Sequence, residues 1–150
     1  MAATGQRVDH QSIAFFKVEV DGIEGAKFRG CSGLKSETEV FEYQEGGNNT
    51  SVYKLAGPTK AGNIVLRQGF VSDPALFKWR DEIHNADGKG YKRRNGAIVA
   101  LGPDGKTEMG RWSFEKAWPT RWEMGEWDTT TGQALVETLE IAVERISRAK

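Results

Sequence analysis

Three side chains in this sequence, Cys31, His10 and His84, belong to the types that most readily serve as nucleophile, proton shuttle or soft metal ligand. Covalent catalysis needs such a group beside a base that a third partner holds in place, and a zinc site needs about four ligands at short spacing. The three stand far apart in the chain, and there is no second cysteine to complete a disulfide or a ligand cluster. His84 reads as a solvated residue late in a short helix and His10 as part of a polar leader. Cys31 reads as a buried, inert thiol followed by a Ser32-Gly33 turn. The expectation is a chain that is not an enzyme and has no catalytic residues, no bound metal and no cofactor.

Binding chemistry has two further candidates. Lys89, Lys92, Arg93 and Arg94 surround Tyr91, an arrangement that could follow a nucleic-acid backbone while stacking a base. The chain carries 21 basic against 21 acidic residues, so it lacks the basic excess of a nucleic-acid binder, and a solvated strand entrance is the better reading. Five tryptophans could form a ligand platform, yet Trp112, Phe114 and Trp122 fall at alternating positions, as core residues do. Trp127, beside Asp128 and three threonines, fits a core least and reads as an interface anchor.

The elements that would position these residues are mostly strands. Alternation of period two runs through Ile13 to Val20, with Phe16, Val18 and Val20 on one side. Asp21-Gly22 then offers a turn, and Ala26 to Cys31 predicts a return strand carrying Phe28, which together make a first hairpin. Asn63 to Val71 predicts another strand. One short helix is predicted over about 74–86, with Asp73 as its cap, Pro74 at the first helical position, a Leu76/Trp79/Ile83 stripe, and Gly88 and Gly90 closing it. Gly96 to Leu101 and Thr107 to Phe114 flank the turn tripeptide Pro103-Asp104-Gly105 and predict a second hairpin, with Trp122 and Met124 on a further strand. The closing segment, Gln133 to Arg148, fits two periods. Leu135, Leu139, Ala142, Val143 and Ile146 suit a helix, which the pattern slightly favours. Leu135, Leu139, Ile141 and Val143, interrupted by Glu137, suit a strand.

Residues 35–56 stand apart. Lys35 to Tyr43 alternates, but Glu37, Glu39 and Glu42 place acid on both faces beside Val40, Phe41 and Tyr43. Glu45-Gly46-Gly47-Asn48-Asn49-Thr50 is dense in residues that tolerate left-handed backbone, so it predicts a loop before Val52 to Leu55. The segment is expected to project as an arm from a single domain spanning 1–150. An arm two strands wide cannot bury Val40, Phe41, Tyr43, Val52, Tyr53 and Leu55 by itself, which predicts that a neighbouring copy covers them. Glu37, Glu39, Glu42 and Glu45 could then dock on body residues such as Arg93, Arg94, Lys116 and Arg121. These arm residues and Trp127 form the expected subunit interface.

Several runs, taken in order, resemble a known family: Cys31-Ser32-Gly33-Leu34, Glu37 to Tyr43 with Glu45-Gly46-Gly47, Lys54-Leu55-Ala56-Gly57, and Phe114-Glu115-Lys116-Ala117-Trp118-Pro119. With Val18-Glu19-Val20-Asp21-Gly22, the helix carrying Trp79, and Glu137-Thr138-Leu139-Glu140-Ile141-Ala142, nearly the whole chain is similar to the tail tube proteins of contractile phages and extracellular contractile injection systems. The chain departs at Ala56, where the family pattern often has proline.

The resemblance implies a mainly β fold: two packed antiparallel sheets in a barrel-like sandwich, one flanking helix, and a strand at the closing segment. It further implies six-subunit rings stacked into an inner tube. Sheath, baseplate and tail terminator proteins would be its partners, and DNA or protein cargo would occupy the lumen. The same fold occurs in haemolysin-coregulated secretion rings, a second reading. A third is a monomeric ligand-binding sandwich. Composition agrees with a soluble particle component: 38% hydrophobic and 28% charged residues, no apolar run of the roughly 20 residues a membrane span needs, and an opening stretch unlike a signal peptide. Assembly in a bacterial host cytoplasm, followed by incorporation into a virion tail or released particle, is the expected course.

Overall fold

A computed structural model of the chain describes residues 13, 15–23, 28–47, 50–69, 73–87 and 89–149. Two antiparallel sheets share one long strand. β1 (Phe15–Val20) pairs with β6 (Arg94–Leu101), which pairs with β7 (Glu108–Met124). The far end of β7 pairs with β8 (Val136–Ala142), which pairs with β5 (Ile64–Gly69), whose other edge takes the short β2 (Gly30–Ser32). β9 (Arg145–Arg148) continues beyond β8 along the near part of β7. β3 (Ser36–Tyr43) and β4 (Tyr53–Ala61) form a separate two-stranded sheet, and a single helix, α1 (Ala75–Ala86), lies against β7. The path from β1 to β2 is open, so the body is a sandwich and not a closed barrel.

β7 passes from one sheet to the other at a bulge. Glu115 and Lys116 together stand opposite Asn95, Lys116 takes a left-handed φ of 55°, and its N–H donates to Asn95 Oδ1 at 2.9 Å. A second irregularity at Thr120, whose hydroxyl donates to the Glu140 carbonyl at 3.2 Å, completes the bend. Ile64, Leu66, Leu76, Trp79, Phe114, Leu139 and Ile141 fill the space between the sheets, each almost fully buried. The Phe114 ring crosses Gly96, its partner on β6, so closely that a side chain there would collide with it. β6 is apolar on both faces. Val99 on its outer face is shielded where its register partners Lys17 and Arg111 lay their stems, with Arg111 bound to Glu19 at 2.9 Å and Glu108 at 2.6 Å. Arg111 is the first cause, and Lys17 the second, that holds the Glu19 carboxyl below its usual range.

The second predicted hairpin forms. Gly102 N–H donates to the Thr107 carbonyl, Gly105 sits at φ 71°, and Asp104 accepts from the backbone N–H groups of Lys106 and Thr107 and from the Thr107 hydroxyl at 2.6 Å. Three expectations are corrected. The first hairpin does not form as expected: Val20 bridges Ile23 across the Asp21-Gly22 turn, but β1 takes β6 as its partner and Gly30–Ser32 joins the opposite sheet on β5. A three-residue strand offers little pairing surface, whereas β6 offers β1 a six-pair ladder; the remainder of the expected return strand, 26–27, lies outside the described residues. The helix begins one residue later than expected. Pro74, not Asp73, is the flanking residue whose carbonyl accepts from Lys78, no side chain caps the end, and Asp87 in left-handed conformation closes the helix ahead of Gly90. Gly88 and Phe70 to Ser72 lie outside the described residues.

The closing segment is strand and not helix, as the family resemblance implied. Glu137, which appeared to interrupt the alternation, points inward. It is 6% exposed, and its two carboxylate oxygens accept from Gln68 Nε2 at 2.9 Å and Trp122 Nε1 at 2.6 Å. A buried acid whose oxygens are both bonded satisfies the strand pattern as an apolar residue would.

Phe114→Ala should destabilise the subunit by about 3–5 kcal/mol through the cavity it leaves, whereas Trp127→Ala, at a residue 76% exposed, should stay within about 0.5 kcal/mol. Denaturant unfolding of the two variants beside the parent measures both. The Asp104 turn gives a pH expectation. The Thr107 hydroxyl, followed by the Thr107 and Lys106 N–H groups, lowers its carboxyl to about 2. Its contribution should therefore be complete above the ordinary carboxylate range and fade as pH falls towards 2. A carboxyl titration by NMR should find that value, and Thr107→Val should move it up.

Candidate functional site

The β3–β4 hairpin carries the exposed apolar surface of the molecule. Cross-strand register places Tyr43 against Tyr53 and Phe41 against Leu55 on one face, alternating with Glu42 against Lys54 and Val40 against Ala56 on the other. Beyond these pairs β4 carries an extra residue: Gly57 and Pro58 together oppose Glu39, and Thr38 resumes the pairing with Thr59 through a 2.7 Å hydroxyl contact. Proline, which lacks an N–H, suits such a bulge. Gly57 lets the Phe41 ring lie across the partner strand, where a Cβ would come within 2.5 Å of Phe41 Cε2.

The acids divide between the two faces as the alternation requires. Glu37 stands against Lys60, Lys60 Nζ also lies 3.7 Å from Glu39 Oε1, and Glu42 faces Lys54. Each acid of β3 thus has a lysine of its own hairpin nearby. At the base of the hairpin Ser36, Thr59 and Ala61 border Glu144, Arg145 and Ile146 of the body. Towards the tip nothing covers the apolar pairs: Phe41, Tyr43 and Leu55 are each more than half exposed, and Val40, Val52 and Tyr53 are close to that. Glu45 lies in the tip loop, where Gly47 takes a positive φ. Trp127 is placed elsewhere, on the loop between β7 and β8, next to an Asp128 turn that accepts from the N–H and hydroxyl of Thr130.

The basic residues expected to receive the acids are partly committed within the subunit. Arg94 is withdrawn, its side chain 10% exposed and bonded to Glu82 and to the Asp21 carbonyl. Arg93 pairs with Glu144 and lies over the Tyr91 ring, which itself packs against Trp118. Lys116 reaches Glu144 at 3.5 Å and Arg121 reaches Glu123 and Glu140, but both remain more than half exposed. His84 is exposed near the end of α1, and Cys31 is half-buried, burial pushing its thiol up to about 11. His10 lies outside the described residues. Among the described residues no group of three His, Cys, Asp or Glu is placed to hold a metal ion. Sequence reasoning missed the inward Glu137 and the αL Lys116, because both depend on which strand lies opposite.

A family model described as T4-like virus tail tube protein gp19 matches residues 14–147. The chain is similar to one in the cryo-EM structure of the anti-feeding prophage baseplate, 6-fold symmetrised, with 26% identity, a TM-score of 0.76 and 97% of each chain covered. It shares its fold with a chain in the PVC extracellular contractile injection system sheath/tube terminator, at 24% identity, TM-score 0.80, and 99% and 100% coverage. The fold also matches Hcp1 from Flavobacterium johnsoniae, at 16% identity, TM-score 0.51, and 88% and 94% coverage. No curated protein matches the chain.

Because the apolar pairs of the hairpin contribute only through their mutual contact, the double variant Phe41→Ser, Leu55→Ser should cost the isolated subunit no more than about 1 kcal/mol. Chemical unfolding of the unassembled protein is the measurement.

Proposed function

We propose a role that starts from one fact: this chain belongs to the T4-like virus tail tube protein family. In that role it is a structural subunit of the inner tube of a contractile injection machine, and its work is geometric, not catalytic. Copies associate into six-membered rings, rings stack into a tube inside a sheath, and the tube begins at a baseplate and ends at a terminator. The structures of baseplate, sheath–tube and terminator in which related folds occur support those partners. DNA or protein cargo would pass through the lumen, and the particle would be assembled in a host cell before release.

The observation that carries this reading is the uncovered hairpin. Phe41, Leu55, Tyr43 and Tyr53 form a contiguous apolar strip on a sheet only two strands wide, and such a strip is stable in water when a partner buries it. A second copy is the partner at hand for a polymer-forming family. The expected interface comprises Glu37, Glu39, Val40, Phe41, Glu42, Tyr43, Glu45, Val52, Tyr53 and Leu55, with Trp127 as a separate contact.

Negative-stain or cryo-electron microscopy of the purified protein should show six-fold rings or stacked tubes. The Phe41→Ser, Leu55→Ser variant should remain folded but sediment as a monomer under the same conditions. Rings of another symmetry, or a permanent monomer that binds a small ligand, would overturn the reading.

A further inference from the structure

The sandwich does not close at one end. Where β1, β6 and β7 splay from the short β2, an apolar cavity of about 310 Å³ opens between Phe16, Cys31, Leu34, Ile98, Ala100 and Trp112. Every lining side chain is apolar or a thiol. Leu34 at its rim is 39% exposed, and Ile13 beside it 60%. A cavity of this size lined this way gives its walls no partner atoms, so an apolar occupant is favoured.

The chain's own hairpin cannot be that occupant, since Phe41, Leu55, Tyr43 and Tyr53 stand about half exposed in the same subunit. Trp127 of another copy is exposed enough, but it sits between Glu126 and Asp128, whose charges would have to follow it into an apolar cleft. The hairpin avoids that cost. Its alternation turns Glu42 and Lys54 to the opposite face, so the Phe41/Leu55 and Tyr43/Tyr53 pairs can enter without a charge beside them.

We infer that this cavity is the receptor for the aromatic face of the β3–β4 hairpin of a second copy. The inference rests on the tube-subunit reading and adds the surface that reading lacks. The contact is heterologous, with a projecting strip on one copy meeting a cleft on the next. Each subunit therefore offers one of each, and the contact propagates around a ring or along a stack. Phe41 and Leu55, nearer the base, seat first, and the tyrosines keep their hydroxyls towards the wet rim.

Cys31 makes the cleft testable, because it lines the cavity and is the only cysteine in the chain. Its alkylation at alkaline pH should be at least about tenfold slower in assembled tubes than in dissociated subunits, access and ionisation both governing the rate. Phe41→Cys or Leu55→Cys, oxidised with diamide, should give a ladder of disulfide-linked chains through Cys31, and Val40→Cys on the other face should not. Tubes in which Cys31 reacts as fast as in subunits, or a ladder from Trp127→Cys in place of the hairpin variants, overturn the receptor assignment and leave the tube reading intact. Where the hairpin variants themselves fail to assemble, the labelling of the native thiol decides. A native chain that forms no oligomer at its highest soluble concentration overturns the tube reading, and the receptor with it.

Discussion

The bend in β7 is the constraint on which the rest of the molecule depends. A single 17-residue strand belongs to both sheets, which it can do because Glu115 and Lys116 share one partner position and the backbone there turns left-handed. A lysine at positive φ is disfavoured relative to glycine, and the surrounding bonds hold it there: its N–H on Asn95, its ammonium near Glu144, and the Glu144 N–H on the Glu115 carbonyl. Below the bend Phe114 seals against Gly96; above it Ala117 and Pro119 turn inward and Trp122 reaches Glu137. Straighten the bend, and the two halves of the core would no longer face each other.

That architecture also explains why the hairpin can project. β3 and β4 do not join either body sheet, so their register is set by their own pairs and by the Gly57-Pro58 bulge. The base of the hairpin is tied to the body near Ile146, while the tip carries its apolar pairs into solvent. Cross-strand pairing sustains the shape, and burial by a neighbour supplies the hydrophobic stabilisation that two strands cannot generate between themselves.

The polar interior follows the same economy of local partners. Glu137 is acceptable in the core because Gln68 and Trp122 each donate to one of its oxygens, and Arg94 because Glu82 and the Asp21 carbonyl receive it. Both contacts join elements distant in the chain, β5 and β7 to β8 in one case, β6 to α1 in the other. They bind the helix and the closing strand to the same body.

The sequence by itself determined the features that depend on near neighbours. The Pro103-Asp104-Gly105 turn, the Leu76/Trp79 stripe of the one helix and the split of acids across Ser36–Tyr43 are all written in spacing of a few residues. The family resemblance, carried by ordered motifs, supplied the strand nature of the closing segment where periodicity favoured a helix. Tertiary structure alone decided that β1 lies beside β6 and not beside a return strand, that Glu137 belongs inside, and that Cys31 faces an open apolar cleft. Period and turn chemistry are properties of a short stretch, whereas a strand's partner, and therefore what its inward side chains touch, is chosen by competition among all the strands the chain can bring together.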